Sequence, residues 1–293
     1  MLQFKTITGE RECESLWRNF SKKQILWDLW DFRLCFHKKN FEFNFILAFD
    51  EKRIEGMIPL VYDNDYSTYT YFGDTFPEQN KFFMKDKKNL KIFLENCPKD
   101  TQIYYIDTEE AKYHDFKSGD KRYFLNLEKY EYSFDNYLRS FNKKHRKNLN
   151  YDLRKLGKEG YVMERNKIED FEKLVELNKK IFGKNSDYNE EDFIKEMKQL
   201  INTANEKNIL DLLSVKINNR TEAVGFGVYY NGIYYVLGTG RNPRIKNLGK
   251  LLITEQIKSA ISHNCSKIDF MSTEANWKEL WNLDSEQMYE FEK

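Results

Sequence analysis

The sequence predicts an α/β protein with mixed sheets, built as two halves of similar design. Three observations carry this expectation. A strand–turn–strand pattern occurs twice, as FNFILAFDEKRIEGMIPLVYD at residues 43–63 and DLLSVKINNRTEAVGFGVYYN at 211–231. Each is followed by a third, aromatic strand ending in glycine, STYTYFG at 67–73 and GIYYVLGTG at 232–240. Each then runs into a helical pattern and one more apolar strand. Setting Gly56 on Gly225 aligns the hairpins at an offset of 169 (225 against 56) and puts Ile46 on Val215.

Taken in order, residues 10–38 carry Leu16, Trp17, Phe20, Leu26, Trp30 and Leu34 at helical spacings. The first hairpin turns at Asp50-Glu51-Lys52-Arg53, and its half closes with a helix over 87–96 and a strand over 102–106. The polar stretch Lys117-Ser118-Gly119-Asp120 reads as a turn. It sets the domain boundary, giving halves of 1–122 and 123–293. A long helix is expected over 134–157, with Phe134, Leu138, Phe141, His145, Leu149, Leu153 and Leu156 at steps of three or four. Its other faces are basic (Arg139, Lys143, Lys144, Arg146, Lys147, Arg154, Lys155), and from Arg139 to Lys155 Asp152 is the one acid. A second amphipathic helix follows over 168–182. The second hairpin turns at Asn218-Asn219-Arg220-Thr221, and its half continues with a helix over 248–262 and a strand over 267–271.

Composition narrows the function classes. Over 293 residues, 40% are apolar and 32% charged, which is globular rather than disordered. The formal net charge of +1 leaves no global field to recruit nucleic acid, so any basic patch is local. Cys13, Cys35, Cys97 and Cys265 are scattered, with no C-x-x-C pair, so neither a disulfide framework nor a zinc site is expected. The first residues lack the apolar core of a signal peptide, and no apolar run reaches the roughly 18 residues of a membrane helix. The expectation is a cytoplasmic protein without a membrane span. The four histidines have no metal-ligand spacing, and no metal is expected. Nucleophile-elbow, phosphate-loop and H-E-x-x-H motifs are absent from the sequence.

The segment after the third strand of the second half carries the chemistry. Thr239 leads into Gly240-Arg241-Asn242-Pro243-Arg244-Ile245-Lys246-Asn247-Leu248-Gly249-Lys250, then into an apolar helix. A basic, glycine-containing loop that opens a helix is suited to a phosphate, because the free amides and the helix dipole both favour an anion. The competing reading is a solvated basic loop with a small residue for packing.

Strand, basic loop, Gly249, helix and strand in that order resemble the acyl-CoA-binding motif of the GNAT superfamily of N-acetyltransferases. That motif reads Gln/Arg-x-x-Gly-x-Gly/Ala; here it is Lys246-x-x-Gly249-x-Leu251, which agrees at the central glycine. A broader resemblance is to the CelD-like acetyltransferases associated with exopolysaccharide synthesis, a branch of two GNAT-like halves related to the Fem-type aminoacyl transferases. It rests on Glu55-Gly56-Met57-Ile58-Pro59-Leu60, Lys144-His145-Arg146-Lys147-Asn148-Leu149, Asn247-Leu248-Gly249, Asp269-Phe270 and Trp277-Lys278-x-x-Trp281.

The resemblance implies tandem GNAT-like domains joined by the long basic helix, with a degenerate, acceptor-side first half and a donor-binding second half. It implies acyl-CoA, such as acetyl-CoA, as co-substrate, held by Thr239, Arg241, Arg244, Lys246, Asn247, Leu248, Gly249 and Lys250. Its strands part to admit the donor, and a strand N–H polarises the thioester carbonyl. The acceptor amine must lose a proton, and Asp269, then Glu274, are the candidate bases. Asp269 has a second reading as a cap on the next turn. Trp27, Trp30, Arg146, Trp277 and Lys278 are the candidate acceptor-side residues. Trp27 and Trp30 equally fit a core face, Lys278 equally fits a helix surface, and His145 fits packing better than catalysis. The basic helix has three readings: a tRNA grip, a phosphate site for a lipid-linked or nucleotide sugar, or a solvated face. The expected activity is acyl transfer to an amine of a small molecule, amino sugar or cell-envelope precursor. The alternatives are a Fem-type transferase using aminoacyl-tRNA and a non-catalytic GNAT-fold binding protein.

Overall fold

The computed structural model describes residues 2–51, 53–272 and 276–293. They form two compact units, 1–122 together with 286–293, and 123–285.

In the first unit, β1 (Gln3–Ile7) leads through α1 (Glu10–Phe20) and α2 (Trp30–Leu34) to β2 (Phe41–Asp50). An antiparallel meander follows, in which β3 (Arg53–Asp63) pairs with β2, with β4 (Thr68–Tyr71) and with the short β5 (Phe83–Met84). α3 (Leu90–Glu95) then crosses to β6 (Thr101–Ile106), which lies parallel to β4. β2 and β3 are near-continuous Phe, Ile, Leu and Val runs because both faces of the sheet are covered. Their side chains form one apolar cluster with Trp17, Trp30 and Phe93.

The chain enters the second unit along β7 (Lys117–Asn126), so Lys117–Asp120 begins a strand rather than a turn. The long helix expected over 134–157 is two helices, α4 (Phe134–Ser140) and α5 (Lys143–Glu159). Phe141 is extended, and the Asn142 side chain caps α5 by accepting from the His145 amide at 2.8 Å. The apolar stripe crosses the break unchanged, which is why periodicity missed it. Both helices belong to the second unit, where Leu149 and Leu156 pack into its core.

β8 (Val162–Arg165), α6 (Phe171–Phe182) and α7 (Glu191–Glu206) precede a second meander of β9 (Leu210–Ile217), β10 (Arg220–Tyr230) and β11 (Ile233–Arg241). α8 (Leu248–Ser262) crosses to β12 (Lys267–Asp269), parallel to β11 and antiparallel to β7. After α9 (Asn276–Glu279), β13 (Asp284–Glu292) carries the chain back into the first unit, antiparallel to β6. Strand order is therefore β1-β2-β3-β4-β6-β13 in one unit and β8-β9-β10-β11-β12-β7 in the other. Both read as an edge strand, a meander, a parallel crossover strand and an antiparallel closing strand.

Register makes the likeness quantitative. Asp50↔Arg53, Ala48↔Gly56 and Phe43↔Val61 in the first hairpin correspond to Ile217↔Arg220, Val215↔Ala223 and Leu210↔Val228 in the second. The offset is constant at 167 (217 against 50, 228 against 61), with a register shift at the same step, after Ala48 and before Ala223. This corrects the offset of 169: Gly56 corresponds to Ala223, not Gly225. The two glycines do different jobs. A Cβ on Gly56 would strike the Phe83 carbonyl at 2.6 Å, whereas one on Gly225 would meet the Gln256 side chain on α8 at 3.0 Å.

Candidate functional site

β11 and β12 pair over Ile233↔Lys267, Tyr234↔Ile268 and Tyr235↔Asp269. Beyond that point Phe270 turns toward β7, its amide donating to the Tyr123 carbonyl at 2.9 Å. β11 runs on to Arg241 against β10 alone, so the parallel strands part. At the parting, Phe226 of β10 faces Gly238 and Gly227 faces Val236, leaving Leu237 as a bulge.

The far end of β11 delivers the basic loop. Asn242 donates twice to Glu222, from its amide to the carbonyl at 2.8 Å and from Nδ2 to the carboxylate at 2.7 Å. Its own Oδ1 accepts from the Arg244 amide at 3.0 Å. Pro243 keeps the chain from continuing as strand. Asn247 then takes left-handed φ of 69°, and its side chain makes no cap to α8. The first-turn amides of α8 thus have no partner within the helix. The Arg241 side chain lies over this terminus, with Nε 3.2 Å from where a Gly249 Cβ would stand. Glycine at 249 therefore leaves room for a guanidinium beside unsatisfied amides.

The other loop residues divide. Lys250 is engaged, its Nζ 2.5 Å from Asp152 of α5. Arg244 and Lys246 are exposed, Thr239 is exposed at the parting, and Leu248 is buried beneath the loop. Arg241, Asn247, Gly249 and the α8 amides form one positively polarised corner that fits a diphosphate.

Around β12, Asp269 is fully buried and its Oδ1 accepts from the Met271 amide at 3.0 Å. Met271 sits at φ 61°, a left-handed conformation this contact helps hold. Lys278 is buried at 3% exposure, not on a helix surface: its Nζ donates to the Met271 carbonyl at 2.9 Å and lies 4.7 Å from the Tyr123 ring centre. Asp269 and Lys278 thus hold the amide and the carbonyl of Met271, on either side of its Cα, where the strands part. Trp277 is half-buried against the edge of Phe270. Glu274 lies outside the described residues.

Trp27 and Trp30 are 1% and 3% exposed in the first unit, Trp30 stacked on Phe43 at 5.6 Å. They are core residues of that unit and present no ring face for a ligand. Arg146, on α5, is half-buried and directs one guanidinium nitrogen to the Arg139 carbonyl at 3.3 Å. His145 packs edge-on against Phe141.

The equivalent parting in the first unit is filled by the chain itself. Asn80 inserts beside β6: its amide donates to the Tyr105 carbonyl at 2.8 Å, and the Asp107 amide donates to its carbonyl at 3.0 Å. The Arg33 guanidinium secures this plug by donating to Asn80 Oδ1 and to the carbonyls of Trp27, Phe72 and Gln79. Burial lowers the Arg33 pKa to about 10. Sequence gave no hint of this arrangement, since its partners are some 40 residues apart.

The four thiols are buried, and desolvation pushes Cys13 and Cys97 up to about 12 and Cys265 up to about 11, so they stay protonated near neutrality. Among the described residues no cluster of His, Cys, Asp and Glu offers a metal site, and no helix is long and apolar enough to cross a membrane.

Residues 143–279 match the family described as an acetyltransferase (GNAT) domain. Solved structures extend the likeness over both units. FemX is 12% identical with a TM-score of 0.64, the match covering 98% of this chain and 96% of that one. L-PGS from Bacillus licheniformis is 12% identical at 0.58, covering 97% and 91%. A tandem GNAT protein from the clavulanic acid biosynthesis pathway is 9% identical at 0.57, covering 99% and 97%. At such identities the shared property is the fold, a tandem GNAT-like arrangement in a mixed α/β chain. No curated protein sequence matches this chain.

Proposed function

We propose that the protein is an N-acyltransferase that takes an acyl group from acyl-CoA and delivers it to an amine. One observation carries the reading: β11 outruns its parallel partner at a bulge and ends in an uncapped helix terminus with Arg241 over Gly249. An anion at the terminus and a chain of amides along the parted strand would find donors already in place. Among the described residues the second unit offers this arrangement, whereas Asn80 occupies the corresponding gap in the first. Asp269 is the proposed base and also the anchor of the Met271 turn; Glu274 is the second candidate. Trp277 and Arg146 are proposed to face the acceptor side, and Lys278 to support it from within by holding the Met271 carbonyl. The acceptor class is an amino sugar or other cell-envelope precursor, in keeping with the CelD-like resemblance, and the proposed place of action is the cytoplasm.

A second reading, aminoacyl transfer from tRNA, is favoured by the fold shared with FemX and by the exposed Lys147, Arg154 and Lys155 on α5. A thermal-shift panel of coenzyme A, acetyl-CoA, longer acyl-CoAs, nucleotide sugars and tRNA tests both, since a ligand bound by the native state raises the melting temperature. Stabilisation by coenzyme A is the expected result. Stabilisation by tRNA alone supports the second reading, and a response only to sugars supports a binding protein.

A further inference from the structure

Tyr188 stands in a short turn (Asp187–Asn189) between α6 and α7, in a segment that neither the hairpins nor the basic loop drew attention to. Its residue is 4% exposed, packed against the rings of Phe171 and Phe193, and its hydroxyl has no hydrogen-bond partner. A buried hydroxyl left unpaired is destabilising, so a group in this position is conspicuous. The oxygen is directed at Gly238 of β11: a Cβ there would come within 3.1 Å of it. Gly238 follows the Leu237 bulge, between Tyr235, where pairing with β12 ends, and Arg241 at the loop. The hydroxyl therefore reaches bare backbone at the parting of the strands.

The turn is held there by a relay. Ser186 Oγ donates to Asn178 Oδ1 at 2.7 Å, and Asn178 Nδ2 donates to the Thr239 carbonyl at 2.7 Å. Asn178 lies on α6, whose backbone presses so closely on Gly240 that a Cβ would be 3.0 Å from the Asn178 amide. Helix, turn and strand thus fix Tyr188 within one rigid frame. Desolvation raises the Tyr188 pKa well above its ordinary value, so the phenol stays neutral and serves as a donor, not a base.

We infer that the Tyr188 hydroxyl is a ligand-binding group that donates a hydrogen bond to a carbonyl oxygen of a molecule lying along the parted edge of β11 beside Leu237 and Gly238. A neutral donor in apolar surroundings suits an uncharged acceptor better than a phosphate. Resting on the acyl-CoA reading, the inference has two sources for that carbonyl: an amide of the pantetheine arm or the thioester itself.

Titration calorimetry on the full chain separates them with three probes. ADP carries the adenosine and diphosphate without the arm, coenzyme A adds a 3′-phosphate and the pantetheine amide carbonyls, and acetyl-CoA adds the thioester. Tyr188→Phe should melt no lower than the parent and bind ADP equally well. It should lose about tenfold affinity for coenzyme A and acetyl-CoA if an amide is the partner, or for acetyl-CoA alone if the thioester is. Gly238→Ala, which crowds the hydroxyl, should reproduce the same selective loss. Equal affinity of parent and Tyr188→Phe for all three probes would overturn the inference while leaving the donor reading standing. So would a loss that includes ADP and accompanies a lowered melting temperature, since that marks a structural tyrosine. If the parent binds none of the probes, the donor reading fails and takes this inference with it.

Discussion

Arg33 donates to the Asn80 side-chain oxygen at 2.9 Å inside the first unit, at the end of β6 that corresponds in topology to the parting of β11 and β12 in the second. One buried cation thereby turns a potential cleft into core. Replacing Arg33 by Ala strands the carbonyls of Trp27, Phe72 and Gln79 together with Asn80 Oδ1. With each buried orphan costing about 1–3 kcal/mol, the loss should be at least ~3 kcal/mol. Urea unfolding checks this, and a change under ~1 kcal/mol would show that the plug holds without Arg33.

At the second unit's loop, Gly249→Trp should displace the Arg241 guanidinium and fill the space before the α8 amides. Coenzyme A should then give no thermal shift, while the variant's own melting temperature stays within a few degrees because residue 249 is only half-buried. Gly249→Ala asks less, since the Arg241 end is flexible, and should retain weakened binding. A full ligand-induced shift in the tryptophan variant would remove the loop from the donor site.

His37 makes the first unit sensitive to acid. Its ring stacks on Phe43 at 4.2 Å, Nδ1 is buried without a partner, and desolvation lowers the pKa to about 4 from an ordinary 6.5. The folded state favours the neutral ring, so this contribution is complete above about pH 6.5 and is lost as pH falls toward 4. His37→Phe should flatten that part of the stability–pH profile; a profile parallel to the parent's would assign the slope to other groups.

The two donor readings diverge at α5. Reversing Arg146, Lys147, Arg154 and Lys155 to Glu should leave coenzyme A binding within about twofold, because the proposed diphosphate corner is built from other residues. It should abolish any tRNA binding, whose salt dependence would otherwise show roughly one unit of slope per phosphate contact. Filter binding across a salt series reads the second effect. Loss of coenzyme A binding in this variant would place the anion site on α5 instead.

Periodicity and turn chemistry made the hairpins, α6, α8 and both crossover strands legible, because each is a local pattern of apolar side chains ending in Gly, Asn or Asp. It failed where a single polar side chain overrode the pattern, as at Asn142, whose cap splits a helix that the apolar stripe carries straight through. The offset between the hairpins was misjudged by two residues because glycines were matched by type, while the backbone repeats the register shift instead. At the site, Arg241 and Gly249 were visible as loop and helix start. Tyr188 was not, since one aromatic residue in a polar turn gives no signal until α6 and β11 meet around it. Lys278 likewise has a surface-like sequence context and a buried destination.

The return of β13 to the first unit gives the chain an unusual order of assembly. During synthesis β6 leaves the ribosome well before β13, the strand that pairs with it, because the whole second unit lies between them in the chain. The Asp100 amide, whose partner is the Lys293 carbonyl at 2.7 Å, must wait for the entire intervening unit. The N-terminal unit therefore emerges with an unpaired strand edge, vulnerable to mispairing, and is sealed only after its successor has been translated.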